Sequence, residues 1–179
     1  IVPSWEEYSP RDGEIILTLD PGMAFGTGSH ATTQMAAQAL AALADEGKSY
    51  GRSLDLGSGT GILALMIRHL FQGTVTGVEI DVEALRASRE IVSENGFDDI
   101  ILSSTVPSEG MYDLIVANIN GPALLEMKEL ILGHLAHGGT LILTGILDTQ
   151  ADAIKKTYGL APQKEVSADE WVLFQFKSR

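Results

Sequence analysis

A chain of 179 residues fits a single domain and is long enough to remove about 70% of its unfolded surface from water. With 45% hydrophobic and 20% charged residues it is neither disordered nor fibrous, and a net charge of −12 argues against a phosphate-backbone binder while suiting a basic polypeptide partner. The chain has no cysteine, which excludes disulfides, thiolate catalysis and cysteine-ligated metals and fits a cytoplasmic setting; no apolar run approaches the roughly 18 residues of a membrane span.

Residues 1–13 carry Pro3, Pro10 and Gly13 and read as an arm or linker ahead of a domain over 14–179. The arm lacks the composition of a signal peptide, and a first residue of Ile1 rather than methionine reads as a fragment of a longer chain. Glu14 to Asp20 alternates in part and stops at Asp20-Pro21, which predicts a strand ended by a turn. Pro21 to His30 is glycine-rich without a helical period and reads as a loop. Ala31 to Ala44 predicts a helix, with Thr32 or Thr33 as its cap, broken by Gly47 to Gly51. Strands then alternate with helices: strands at 52–56, 74–79, 99–103, 113–117 and 139–144, helices at 61–70, 82–95, 121–136 and 148–158. Two last strands, 161–167 and 171–177, follow without a crossover helix and form an antiparallel hairpin at one edge. The fold class is α/β: a doubly wound, Rossmann-like sheet, mostly parallel, covered on both faces, with ligands beyond the carboxyl ends of its strands.

Three segments carry chemistry. In Leu54-Asp-Leu-Gly-Ser-Gly-Thr-Gly61 a strand runs into a glycine turn before a helix. Twenty-two positions after Gly57, the next strand ends in Glu79, an acid placed to accept hydrogen bonds from ribose hydroxyls. A dinucleotide turn needs Gly-x-Gly-x-x-Gly, but its third glycine is Ile62 here. The spacing Gly57, Gly59, Gly61, with Asp55 two residues ahead, resembles instead that of S-adenosylmethionine-dependent methyltransferases.

The second segment, 20–33, combines Gly22, Gly26 and Gly28 with Phe25 and the hydroxyls of Thr27, Ser29, Thr32 and Thr33. A glycine loop entering a helix N-terminus favours a carboxylate, such as that of a methionyl group. His30, a lone loop histidine, reads first as structural. The third segment, Asp113 to Pro122, is a buried strand ending in Asn118, with Asn120 before a helix start at Gly121-Pro122. The Asn118 amide faces the crevice; Asn120 reads equally as a helix cap.

Together these segments closely resemble the PrmA family of ribosomal-protein methyltransferases. The resemblance runs through Leu19-Asp-Pro-Gly-Met-Ala-Phe-Gly-Thr-Gly-Ser-His-Ala-Thr-Thr33, Leu54 to Gly61, Val116-Ala-Asn-Ile119 and Leu143-Thr-Gly-Ile-Leu147, and extends from Pro3-Ser-Trp5 to Glu170-Trp171. It implies a class I methyltransferase fold and S-adenosyl-L-methionine held by Thr33, Gly57, Glu79 and Asn118, with Phe25, Gly26, Thr27, Asp55 and Gly59 completing the site and no metal. It also implies methyl transfer to lysine side chains and the N-terminal amine of a large-subunit ribosomal protein in the cytoplasm. Asn118 is the candidate catalytic residue, orienting the acceptor amine; Phe25 and Trp171 are candidate walls. Two departures stand out. Glu79 replaces the family's usual aspartate, and the family's amino-terminal substrate-gripping domain is absent, so the chain reads as a catalytic half or as a stand-alone relative. The alternatives are a small-molecule or nucleic-acid amine methyltransferase, which acidity disfavours for nucleic acid, and a non-catalytic S-adenosylmethionine-binding module.

Overall fold

The computed structural model describes residues 1–3, 5–12, 14, 16–19, 28–108 and 110–179. Helix α1 (Ala31–Asp45) leads into β1 (Arg52–Leu56), α2 (Ile62–Phe71), β2 (Thr74–Val78), α3 (Val82–Glu94), β3 (Ile101–Ser103) and β4 (Tyr112–Asn118). Then come α4 (Gly121–Glu126), α5 (Lys128–His134), β5 (Leu135–Leu147), a 3-10 turn at Asp148–Gln150, α6 (Ala151–Tyr158), β6 (Pro162–Ala168) and β7 (Trp171–Lys177). From α1 onward each expected element has a counterpart, most with ends shifted by a few residues, whereas the strand expected at 14–20 has none among the described residues.

The seven strands form one sheet in the order β3-β2-β1-β4-β5-β7-β6. Neighbours from β3 to β5 are parallel, while β7 runs antiparallel between β5 and β6. The expected edge hairpin is thus present, with β7 inserted against β5 and β6 outermost. Chain direction reverses its spread across the sheet between β1 and β4, and at such a switch point two adjacent strand ends leave an open crevice.

Strand alternation divides the apolar residues between two cores. On one face Leu114, Val116 and Ile142 pack against Leu40 of α1, Leu65 and Ile67 of α2 and Val92 of α3. On the other, Leu54, Leu56, Ile115 and Leu143 pack against Leu124 of α4, Ile131 of α5 and Ile154 of α6. Each fully buried Leu or Ile contributes roughly 1.5–3 kcal/mol relative to exposure, so both faces fix the sheet firmly.

Three expectations change. The single helix over 121–136 is two short helices, α4 and α5, with Met127 between them at φ −86° and ψ 3°. Glu126, Met127 and Lys128 are good helix formers, so no local signal marks the break and tertiary packing imposes it. The cap of α1 is His30, whose Nδ1 accepts from the Thr32 amide at 3.3 Å, while Thr32 and Thr33 lie inside the first turn and are buried. For the strand over 14–20, the described residues contain only one bridge, in which Thr18 pairs with Val2 of the arm; the Val2 amide donates to Leu17 O and the Leu19 amide to Val2 O, each at 3.0 Å. The loop expected at 21–30 lies outside the described residues up to position 27.

Candidate functional site

Strand register assembles the site. Leu56 of β1 pairs with Val78 of β2 and with Ala117 of β4, and Asn118 pairs with Thr144 of β5. One residue beyond Leu56, Val78 and Ala117, Gly57, Glu79 and Asn118 therefore stand in a row along the carboxyl end of the sheet, on strands about 4.8 Å apart, and Gly145 follows one step past Thr144, the partner of Asn118. Residues separated by up to 88 positions in sequence meet without any long side chain reaching across.

The glycine turn is tied down on both sides. Gly57 and Ser58 amides donate to Val78 O at 2.8 and 3.0 Å, and the Gly59 amide donates to Glu79 Oε2 at 2.9 Å. Glu79 Oε1 accepts from the Asp81 amide at 2.9 Å. Gly57 and Gly61 have φ of +75° and +80°, in the left-handed region that glycine enters without strain. A Cβ on Gly57 would come 2.3 Å from the Ile119 side chain, so the turn and the β4 loop meet at glycine distance. The extra methylene of Glu79 is absorbed here: the side chain folds back over the turn and each oxygen accepts one backbone N–H.

Asp55 lies beneath this turn and does not line the crevice. Its Oδ2 accepts from the Ala64 amide at 3.0 Å and so caps α2, whose N-cap Gly61 has no side chain to do so. Among the described residues Asp55 Oδ1 has no hydrogen-bond partner. Burial pushes the Asp55 carboxyl up to about 7, against the lowering effect of the Ala64 amide, and the nearby Glu79 charge raises it further.

The two asparagines have separate jobs. Asn120 Oδ1 accepts from the Ala123 amide at 3.0 Å and caps α4. Asn118 Nδ2 donates to Thr33 Oγ1 at 3.2 Å, joining β4 to the first turn of α1. Thr33 is thereby held against the site although it does not line the crevice. Trp171, at the start of β7, lines the crevice and also packs on the α1 side of the core, with its ring edge-on to His30 at 5.1 Å. His30 also lines the crevice, and its Nδ1 lies 2.8 Å from Thr32 Oγ1.

The crevice is a cavity of about 790 Å³. Besides the strand ends it is lined by Ile80, by Ser104, Thr105 and Val106, by Ile119, and by Ala123, Met127 and Leu130 of the α4–α5 region. Sequence reasoning missed this apolar lining. Ile80 alone carried a signal: an isoleucine directly after the strand's terminal acid, 84% exposed in the fold, has no core to fill. Phe25, Gly26 and Thr27 lie outside the described residues. The site residues described therefore divide: Gly57, Gly59, Glu79 and Asn118 line one cavity, while Thr33 and Asp55 support it from behind. Among the described residues no cluster of three or more His, Asp or Glu groups is arranged to hold a metal, and no helix is long and apolar enough to cross a membrane.

A sheet in this order with a glycine turn after β1 and an acid after β2 is that of a class I methyltransferase. NodS, an N-methyltransferase from Bradyrhizobium japonicum solved with S-adenosyl-l-homocysteine, shares the fold at a TM-score of 0.67 and 16% identity over 84% of this chain and 89% of its own. The model of the family Ribosomal protein L11 methyltransferase (PrmA) matches residues 1–179, and the chain belongs to that family. It is 40% identical over 174 residues to the ribosomal protein L11 methyltransferase of Dechloromonas aromatica (strain RCB), covering 96% of this chain and 57% of that relative. A ribosomal protein L11 methylase from Lactobacillus delbrueckii subsp. bulgaricus superposes with a TM-score of 0.90 at 32% identity, over 99% of this chain and 94% of that one. The chain spans about half the length of the curated relatives it matches.

Proposed function

We propose that the chain binds S-adenosyl-L-methionine in the cavity and transfers its methyl group to amines of a ribosomal protein of the large subunit, at lysine side chains and the N-terminal amine, in the cytoplasm. One observation carries the reading: the register that sets Gly57, Glu79 and Asn118 side by side around a single cavity. The cavity fits such a ligand. A turn of glycines admits close approach, an acid with lone pairs to spare stands beside it, and an exposed apolar side chain follows.

When bound, S-adenosyl-L-methionine supplies a methyl group already activated on a sulfonium. The protein's task is alignment and exclusion of water. Glu79 has one backbone N–H on each oxygen, and its remaining lone pairs would accept hydrogen bonds from the two ribose hydroxyls. Ile80 and Val106 would give the nucleobase apolar contact. Gly57 and Gly59 present backbone where a side chain would block the ligand, and Thr33 supports the site from behind through its hydrogen bond with Asn118. Thr33 Oγ1 takes up the Asn118 amide N–H, leaving Asn118 Oδ1 to accept from the incoming amine and aim its lone pair. That amine reacts in its neutral form, because an ammonium has no lone pair to donate.

Transfer of labelled methyl from the cofactor to purified ribosomal protein L11 tests the proposal, with whole ribosomal lysate as a second acceptor. Label in the protein supports it. Label in RNA or in a small molecule, with none in the protein, overturns the acceptor; cofactor binding without any transfer marks a non-catalytic module.

A further inference from the structure

His134, the last residue of α5, stands between two parts of the cavity lining. Residues 104–106 line the cavity from the segment after β3, and Met127 and Leu130 line it from the α4–α5 region. The His134 ring bridges the two. Its Nδ1 lies 2.8 Å from Leu130 O and its Nε2 lies 3.2 Å from Pro107 O. An imidazolium donates to both carbonyls, a neutral ring to one. The ring also leans on Tyr112, with centroids 6.4 Å apart. Among the described residues, His134 is the only helical side chain that hydrogen-bonds residues 104–108. That segment has little else to hold it: Thr105 N donates to nearby Ser103 Oγ, and Val106 packs on the α4–α6 core.

We propose that His134 is a positioning residue that fixes the spacing between the 104–107 segment and α5 and thereby sets how closely the cavity grips the nucleoside end of its ligand. The inference rests on the reading of this cavity as a nucleoside-cofactor site. A wall tethered through one ring lets a flat nucleobase seat between Ile80 and Val106 without first ordering the segment. Loss of the tether leaves the ligand to order it, and the affinity falls by that amount.

Calorimetric titration with S-adenosylhomocysteine and with methylthioadenosine, which lacks the amino-acid end, tests this in the wild type, His134→Phe and His134→Gln. Phe keeps the ring against Tyr112 and removes both ring nitrogens; Gln keeps a donor amide. His134→Phe is expected to bind both ligands about three- to tenfold more weakly, with an unliganded melting temperature close to wild type, and His134→Gln to recover part of the loss. If His134→Phe does not fold, the comparison is made on His134→Gln alone, where a weakening of both ligands is expected. Wild-type affinity in the variant that folds, or a loss confined to S-adenosylhomocysteine, overturns the positioning role. A wild type that binds neither ligand overturns the cofactor reading itself.

Discussion

The two sides of the cavity are built by different means. The strand-end side consists of Gly57, Glu79, Asn118 and Gly145, placed by β-ladder register and by backbone hydrogen bonds of 2.8–3.0 Å onto the glycine turn and Glu79. The opposite side consists of residues 104–106, Met127 and Leu130, placed by helix packing and by side-chain contacts. At Gly57 and Gly145 the first leaves no room for an added methyl group. The second is adjustable, because its atoms are side chains on short segments rather than paired backbone.

Glycine substitutions measure that contrast and carry the largest expected effect. Gly145 has φ +83°, and a Cβ there would come 2.4 Å from the carbonyl oxygen of Ile119. Backbone cannot retreat as a side chain can, so Gly145→Ala should cost on the order of 4–5 kcal/mol through strain and overlap. Denaturant unfolding should show it, together with loss of cofactor binding. Gly133, in α5, has open space where its Cβ would stand and no left-handed φ. Gly133→Ala should be neutral or stabilising by up to about 1 kcal/mol. Equal effects at the two sites would erase the distinction between the two sides.

Asp55 sharpens it next. Its folded-state carboxyl is pushed up to about 7 by burial. Between pH 4 and pH 7 the folded protein therefore holds a proton that the unfolded chain releases, so stability from this group falls as pH rises through that window and is level above it. The full span is ~4 kcal/mol for a shift of about three units. Asp55→Asn removes the slope. Relative to wild type the variant should gain stability steadily from pH 4 to pH 7, read as the difference in unfolding free energy between the two proteins. Parallel curves would mean that Asp55 remains ionised in the folded state across the window.

These two sides also differ in how far the amino-acid sequence alone reveals them. Gly57, Gly59 and Glu79 were legible because a strand, a turn and a second strand write their geometry in local residue types and spacing. Asn118 was legible as a strand-terminal amide, and its separation from Asn120 followed once the caps were seen. Met127, Leu130 and Val106 were not legible: apolar residues in helices and loops read as core, and only the tertiary arrangement turns these toward a cavity. The break at Met127 was hidden for the same reason. Asp55 was read as a cofactor contact because it belongs to the glycine motif, whereas its geometry is that of a buried cap on α2, set by how β1 enters the helix.

Glu79 joins the strand ends to the ligand, and its variant sits in the middle of the range. Glu79→Ala removes the acceptor for the ribose and the tie to Gly59 and Asp81. Cofactor affinity should fall by roughly 1.5–3 kcal/mol, the size of a charge-assisted hydrogen bond, which calorimetry reads as a ten- to hundredfold weaker Kd. Glu79→Gln keeps an acceptor oxygen and should lie between. Unchanged affinity in Glu79→Ala with the fold intact would show that the acid serves only the turn.

The smallest effect belongs to Ile80, where the adjustable wall begins. Its side chain is 84% exposed and lines the cavity. With so little of it buried in the unliganded protein, Ile80→Ala should leave the melting temperature almost unchanged. A bound nucleobase would cover part of that surface, and partial burial of one isoleucine contributes about 1 kcal/mol. Binding of S-adenosylhomocysteine should therefore weaken about fivefold, with no change for ligands that lack a base. The sign of the paired result separates the two sides of the cavity. A strand-end residue loses stability and affinity together, because its backbone is shared by fold and site. Ile80 loses affinity alone, because its side chain belongs to the site and to nothing else. A drop in melting temperature as large as the drop in binding would place Ile80 with the strand ends and move the boundary between rigid and adjustable sides one residue past Glu79.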